Sequence, residues 1–282
     1  MKRKKILIAV SLIVPALTVW GALWFMGTGA LMSASELTAR LGPAFQNSGS
    51  TFVRWPVLPN TPTLAPLVCL VLDSPEFFVM FWNTCLQVFP QIVGQVLVGA
   101  PAAWAFSRLQ FPGRRFLFGA YIVLMLLPFQ VTMVPHYLVL NRLGFLDTPL
   151  AIICPGIFST FPVFIMTKGF DAVSRSMLEA AALDGAGYGR TFWSIGLPLG
   201  MPGILAALVL GFLEAWNAVE QPMTFLKDPS NWPLSLYLPQ TVQEQLSLAM
   251  VSGLVALTPA VLMFLFGQKY LELGIQASGL KE

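Results

Sequence analysis

Long apolar runs alternate with short polar segments along this chain, and the runs are apolar on both faces. Six of them reach spanning length, or approach it: about residues 6–26, 80–106, 116–140, 148–166, 203–218 (extended at one end) and 248–266. In lipid every backbone N–H and C=O must be paired within its own segment, which predicts helices for these runs. A barrel would instead need short strands of alternating polarity separated by polar turns. The predicted fold class is therefore all-α, a membrane protein of six transmembrane helices. Pro90 and Pro101 fall inside the second run and predict kinks there.

The segments between the runs differ in kind. Residues 27–79 include the turn-rich stretch Trp55-Pro56-Val57-Leu58-Pro59-Asn60-Thr61-Pro62. Residues 64–72 are apolar but too short to cross a bilayer. A second turn-rich loop, about 219–247, contains Lys227-Asp228-Pro229-Ser230-Asn231-Trp232-Pro233. The loop between the fourth and fifth runs has another pattern. Residues 177–182 are strong helix formers. Gly185, Gly187 and Gly189 interrupt them, residues 191–197 can resume a helix, and Pro198 and Pro202 bend the chain toward the fifth run. The shape implied is helix, tight turn, helix, with the loop as a whole at 171–200. No internal repeat or low-complexity tract is visible.

Composition agrees with a membrane protein. Of 282 residues 56% are hydrophobic and 10% charged, against about 25% charged in a soluble domain; mean hydropathy is +0.73. Twelve basic residues fall at one set of loop ends: Lys2, Arg3, Lys4, Lys5, Arg108, Arg114, Arg115, Lys168, Arg175, Arg190, Lys269 and Lys281. Four, namely Arg40, Arg54, Arg142 and Lys227, fall on the other side. By the positive-inside rule both termini are cytoplasmic. The net charge of +3 is accounted for by inside ends and calls for no nucleic-acid partner. The first run follows a basic segment as a secretory signal would. It is longer than a typical signal core and the sequence begins at Met1, so an uncleaved anchor is expected. Cys69, Cys85 and Cys154 have neither paired nor ligand spacing, which predicts three free thiols and no metal.

Polar residues inside spans are costly and often functional. Asn83, Gln87, Gln91 and Gln95 recur every four residues and form one stripe on the second span. The stripe either lines a translocation path or makes interhelical hydrogen bonds. Gln130, His136 and Tyr137 lie in the third span, and His136 is the only histidine, which excludes a relay of several histidines. Glu214, Trp216 and Asn217 lie near the outer end of the fifth. A buried carboxylate there needs a partner or a proton. Trp216 can stack on a sugar face or anchor at the interface. There is no Gly-x-x-x-x-Gly-Lys-Ser/Thr loop, so this chain is not expected to bind ATP, and the glycines at 185, 187 and 189 follow no strand and make no dinucleotide fingerprint.

The loop at 171–200 carries Glu179-Ala180-Ala181, three residues, Gly185, nine residues, Ile195, one residue, then Leu197-Pro198. In this the chain resembles the inner-membrane permease subunits of bacterial ATP-binding-cassette importers, most closely the carbohydrate branch and its maltose-type second permease subunit. The resemblance runs from about residue 81 to 281. It includes Phe81-Trp82-Asn83-Thr84, Ala105-Phe106-Ser107-Arg108, Pro128 with Pro135 and Tyr137, Leu183-Asp184-Gly185-Ala186, Trp216-Asn217 and Gln268-Lys269-Tyr270. Residues 28–78 match poorly, and Ser174 stands where the family usually has proline before the signature.

The resemblance implies a type I importer permease fold with a cytoplasmic coupling helix, in a bacterial inner membrane. It implies an anchor helix and extracytoplasmic segment at 1–79 and a core permease domain of five transmembrane helices at 80–282. It further implies a non-catalytic subunit that works with two ATPase subunits holding ATP and Mg, a second and different permease, membrane lipid, and an extracytoplasmic solute-binding protein that delivers a sugar. Glu179, Ala180 and Ala181 would lie on the docking helix, with Glu179 near its favourable N-terminal end. Asp184 and Gly185 would make the turn, Ile195 and Leu197 would pack the next helix, and Pro198 would set its exit. ATP binding in the partner would move the loop and bias the spans between inward-open and outward-open states. The two outer loops would form a docking rim. The same fold can serve glycerol phosphate, a polyol or another small solute. An ion-coupled secondary transporter would show buried acidic relays and matched broken helices, neither of which is evident. A plain membrane scaffold would not need the signature.

Overall fold

The structure, a computed structural model, describes residues 2–45, 55, 57–237 and 246–279. Arg54, Lys281 and residues 238–245 of the second outer loop lie outside them. In chain order the helices are α1 (Lys2–Ala30), α2 (Ala34–Phe45), α3 (Ala65–Leu72), α4 (Pro75–Arg108), α5 (Arg114–Leu126), α6 (Phe129–Leu143), α7 (Leu150–Ile157), α8 (Thr160–Phe170), α9 (Arg175–Leu183), α10 (Tyr188–Thr191), α11 (Leu197–Trp216), α12 (Glu220–Phe225) and α13 (Leu246–Gly279). A π turn, Phe192–Gly196, joins α10 to α11. Among the described residues there is no strand. Five helical runs are long and apolar enough to cross a membrane, and six if the bent pair α5–α6 counts as one.

The chain divides into two compact units, residues 1–79 with 237–258, and residues 80–236 with 259–282. In the first, Met32, Leu37 and Leu41 make a small core with Phe25, Leu246 and Met250 packed on it. Glu36 bridges Arg40 at 2.8 Å, and Arg40 donates to the Leu58 carbonyl and to Asn60 Oδ1. The Asn60 N–H in turn donates to Glu36. These bonds pin residues 58–60 against α2.

The second unit contains the rest of α4, helices α5 to α12 and the end of α13. Its main core gathers Trp104, Met166, Phe170, Phe192 and Ile204, with Ile195 and Leu197 packed against it. Helices α8 and α11 approach to backbone contact. A Cβ on Gly169 would stand 2.6 Å from the Gly203 Cα, so any side chain there would force the helices apart.

Several elements differ from the hydropathy reading. The third span is not one helix over 116–140: α5 and α6 meet at 102°. Leu127 is extended (φ −70°, ψ 128°) because Pro128 crowds the helical conformation of the residue before it, while Pro128 itself opens α6. The fourth span breaks at Phe158–Ser159, where Ser159 is extended. By contrast α4 continues through both Pro90 and Pro101. Residues 188–216 run on as one helical segment through Pro198 and Pro202. Pro198 lies in the first turn of α11, directly after the π turn. The sixth span extends well past 266, to Gly279.

Candidate functional site

Two features carry the chemistry. The first is the loop between α8 and α11. Ser174 caps α9 by accepting the Met177 N–H. At the far end Gly185 takes φ +78°. Its N–H donates to the Ala182 carbonyl at 3.1 Å, and the Ala186 N–H donates to the Ala181 carbonyl at 2.9 Å. This is a Schellman turn, and it needs a residue without Cβ strain in the left-handed region. Gly187 has an ordinary φ of −71°.

Glu179 is not at the start of α9. It is the fifth residue of the helix, and Arg175 occupies the first turn. Beyond the first turn the helix dipole gives Glu179 no special stabilisation, and its side chain is exposed. Of the two alanines, Ala180 is exposed and Ala181 is buried against the unit. Asp184 is the C-cap residue. Leu183 and Tyr188, 90% and 81% exposed, stand on either side of the turn. In the sequence Leu183 stands out only within Leu183-Asp184-Gly185-Ala186, and Tyr188 carries no signal of its own.

The loop's two stems meet. Phe170 ends α8 and Phe192 opens the π turn, with ring centroids 6.3 Å apart. Trp104 of α4 lies against both, at 5.4 and 5.8 Å.

The second feature is a cavity of about 420 Å³ in the second unit. It brings together Gln91, Gln95, His136 and Glu214 from the sequence candidates. Both helix breaks open onto it, through Leu127 and Phe129 on one side and Phe158 and Ser159 on the other. This is the arrangement physics requires, because irregular backbone at membrane depth is tolerated only where it is buried in protein or faces a cavity. Sequence reading missed Thr132, Ser159, Thr160 and Gln221 on its wall, as well as Phe129, Phe158 and Phe161.

The stripe on α4 divides. Gln91 packs on Gly156 of α7, where a Cβ would collide with its amide, and makes no hydrogen bond among the described residues. Gln95 donates to the Gly156 carbonyl at 2.9 Å, and Gly211 of α11 makes room for it. Asn83 and Gln87 serve the outer loop instead: Asn83 donates to the carbonyls of Ser230 and Trp232, Gln87 to that of Asn231. That loop has a second clamp. Asp147, at φ +60°, accepts the N–H groups of Lys227 and Asp228 on Oδ1, both at 2.8 Å, and its carbonyl accepts from Asn231. The Ser230 N–H and hydroxyl hold the Asp228 carboxyl below the usual carboxylate range.

The remaining candidates separate as follows. His136 faces the cavity, and its Nδ1 is buried with no hydrogen-bond partner among the described residues. Tyr137 packs against the cluster of Leu140, Ile152 and Phe225 and is not itself on the cavity lining. Gln130 is exposed and donates to both carboxylate oxygens of Glu220 at 3.0 Å. Trp216 is 5% exposed, stacked on Phe212 at 5.3 Å and edge-on to Phe81, so its ring has no face free for a sugar. Asn217 turns back to the Leu213 carbonyl. Among the described residues no cluster of His, Cys, Asp and Glu could hold a metal ion.

Comparison with known proteins places this arrangement. Residues 95–276 match the family described as the binding-protein-dependent transport system inner membrane component. A probable ABC transporter permease protein of Pyrococcus horikoshii is 31% identical over 77% of this chain and 80% of its own length. The arabinooligosaccharides transport system permease protein AraQ of Halalkalibacterium halodurans is 24% identical over 79% of this chain and 81% of its own. In fold, the chain superposes on a bacterial ABC transporter involved in the import of the acidic polysaccharide alginate with a TM-score of 0.78. That match covers 95% of this chain and 96% of the other at 22% identity. The fold is that of a type I ABC-importer permease. The chain is a multi-pass, all-helical, non-catalytic permease subunit, and it belongs to the family of binding-protein-dependent transport system inner membrane components.

Proposed function

We propose that this subunit serves an ATP-driven importer of a neutral sugar or oligosaccharide in a bacterial inner membrane, with both termini cytoplasmic. Residues 80–282 form the core permease domain, and 1–79 the anchor and outer segment. Two ATPase subunits, which hold ATP and Mg, dock on the loop at 171–200. A second, different permease completes the pathway, and a solute-binding protein delivers cargo to the outer side. The observation that carries the coupling role is the loop itself. The complete signature folds into a capped helix and a Schellman turn that leave Glu179, Ala180, Leu183 and Tyr188 exposed. In the core behind them, Ile195 and Leu197 hold the stem.

The cavity supports the cargo class. Amides at Gln91 and Gln95, hydroxyls at Ser159 and Thr160 and the open His136 nitrogen suit a ligand rich in hydroxyl groups, and phenyl rings suit its C–H faces. Glu214 is the acidic side chain on the lining, which contains no Lys or Arg among the described residues. A carboxyl group hydrogen-bonds sugar hydroxyls, and the described lining offers no Lys or Arg to pair an anion. This favours a neutral sugar over glycerol phosphate or an acidic glycan.

The test is affinity capture of the chain from native membranes in mild detergent, with mass spectrometry of what is retained. An ATPase, a second permease and a solute-binding protein are expected. Recovery of this chain alone, under conditions that keep other membrane complexes intact, refutes the reading. The captured complex is then reconstituted in vesicles and offered neutral disaccharides and sn-glycerol 3-phosphate. Uptake of the phosphate ester would overturn the neutral assignment.

A further inference from the structure

The stems of the coupling loop converge on one helix, and that helix also reaches the cavity. Arg108, the last residue of α4, donates from Nε and Nη2 to the Phe170 carbonyl at 3.0 and 2.6 Å. Its neighbour Ser107, itself buried, donates to Asp171 Oδ1 at 2.7 Å. Arg114, at the start of α5, ties back to the Ser107 and Leu109 carbonyls. One turn up, the Trp104 ring fits over Gly196, where an added Cβ would lie 2.6 Å from it, while its edge meets Phe170 and Phe192. The entry to the loop and its exit are thus both fastened to the last turns of α4.

Farther along the same helix, Gln95 and Gln91 lie on the cavity wall, 9 and 13 residues from Trp104, a rise of about 14 and 20 Å. Farther still, Gln87 and Asn83 hold the outer loop at 230–232. The segment 188–216 also runs as one helix from the loop to Glu214 on the cavity wall, but it continues only the exit stem, whereas α4 fastens the entry and the exit together and goes on to hold the outer loop. The span at α5–α6 turns by 102° at the cavity, and α7–α8 has a two-residue gap in its helix there, at Phe158–Ser159.

We propose that α4 is the lever of this subunit, and that Arg108 with Ser107 and Trp104 are the positioning residues that fasten it to the coupling loop. A displacement of the loop is then delivered to Gln91 and Gln95 as a movement of α4. The proposal rests on the coupling role given above. It adds which helix receives the motion and which bonds transmit it.

The test needs no knowledge of the cargo. In the intact complex, with Cys69, Cys85 and Cys154 replaced by serine, Gln91→Cys is labelled with a membrane-impermeant maleimide before and after trapping with ATP and vanadate. ATP hydrolysis is measured on the same preparation. Trapping should change the labelling rate by about tenfold, within the usual range for coupled sites. Arg108→Gln should retain hydrolysis within about threefold but reduce that change to about twofold or less. Arg108→Lys, which restores one donor, should recover part of it. Ser107→Ala, a small change at one hydrogen bond, should give a partial loss and serves if Arg108→Gln does not assemble. A full labelling response in Arg108→Gln or Ser107→Ala overturns the lever. So does a parallel fall of hydrolysis and response, which is what a merely structural role produces. Failure of the parent complex to retain an ATPase would count against the coupling role itself.

Discussion

Gly185 offers the sharpest test of the coupling loop, because the structure separates it from two glycines that look equivalent in sequence. A Cβ built on Gly185 meets no atom within 4 Å, so substitution there carries no steric clash. The whole effect is conformational. An alanine held at φ +78° costs about 1–2 kcal/mol. At 1.4 kcal/mol per decade this lowers the population of the native turn by up to about 5- to 30-fold relative to its competitors. Proline cannot reach a positive φ at all and loses the N–H that donates to Ala182, a cost of about 3 kcal/mol or more. Gly187, with φ −71°, and Gly189 also have open space around them and no such requirement. The assay is affinity capture of the complex, followed by measurement of retained ATPase subunit and hydrolysis rate. Gly185→Ala should weaken retention measurably, Gly185→Pro should abolish it, and Gly187→Ala and Gly189→Ala should behave as the parent. Normal ATPase stoichiometry and solute-stimulated hydrolysis in Gly185→Pro would refute the claim that this turn shapes the docking surface. Equal defects at all three glycines would refute the assignment of the effect to the left-handed backbone.

Three further outcomes are expected. Gly203→Ala should lower stability by about 1–3 kcal/mol, read as a fall in the thermal unfolding midpoint in detergent, because its Cβ would press on Gly169; an unchanged midpoint would mean that α8 and α11 part freely. Gln91→Leu should leave the ATPase bound while uptake falls, since the amide faces the cavity and holds no protein partner among the described residues; unchanged transport kinetics would assign it to packing alone. Asp147→Ala should loosen the loop at 226–232 by about 1–3 kcal/mol through loss of two N–H acceptances. Asp147→Asn, which keeps an acceptor and tolerates the left-handed backbone, should stay near the parent in the rate of proteolysis at that loop.

Which parts of this molecule could be read from its sequence follows from the range of the forces involved. The spanning helices were legible because lipid imposes its demand locally, on each run of residues separately. Gly185 was legible because a left-handed turn is likewise a local requirement. The proline positions were not. Pro90, Pro101 and Pro128 look alike in sequence, yet only the last separates two helices. At Pro128 the freed backbone has a cavity to face, which comes from α4, α7 and α11 and not from the residues around it. The four-residue stripe was visible, but its division was not. Asn83 and Gln87 are occupied by carbonyls more than a hundred residues away, whereas Gln91 stays open because Gly156 lets it lie flat. Trp216 was read as a stacking or anchoring ring, and only the positions of Phe212 and Phe81 show that it is core. Asp147 gave one faint sign, being a residue type that accepts a left-handed backbone, and its partners again lie about eighty residues on.

The π turn at Phe192–Gly196 has a consequence for changes in chain length. A π turn is an α-helix with one residue too many. Elsewhere in the fifth span, deleting a residue would rotate everything beyond it by about 100°. A deletion near Leu208 would swing Trp216 out of its aromatic pocket and Glu214 off the cavity wall. At Ser194, an exposed position inside the π turn, the same deletion would draw the turn down to ordinary α-helix and leave the following faces in phase. The span therefore has one point at which its length can be altered without disturbing its aim, and that point lies between the coupling loop and the cavity.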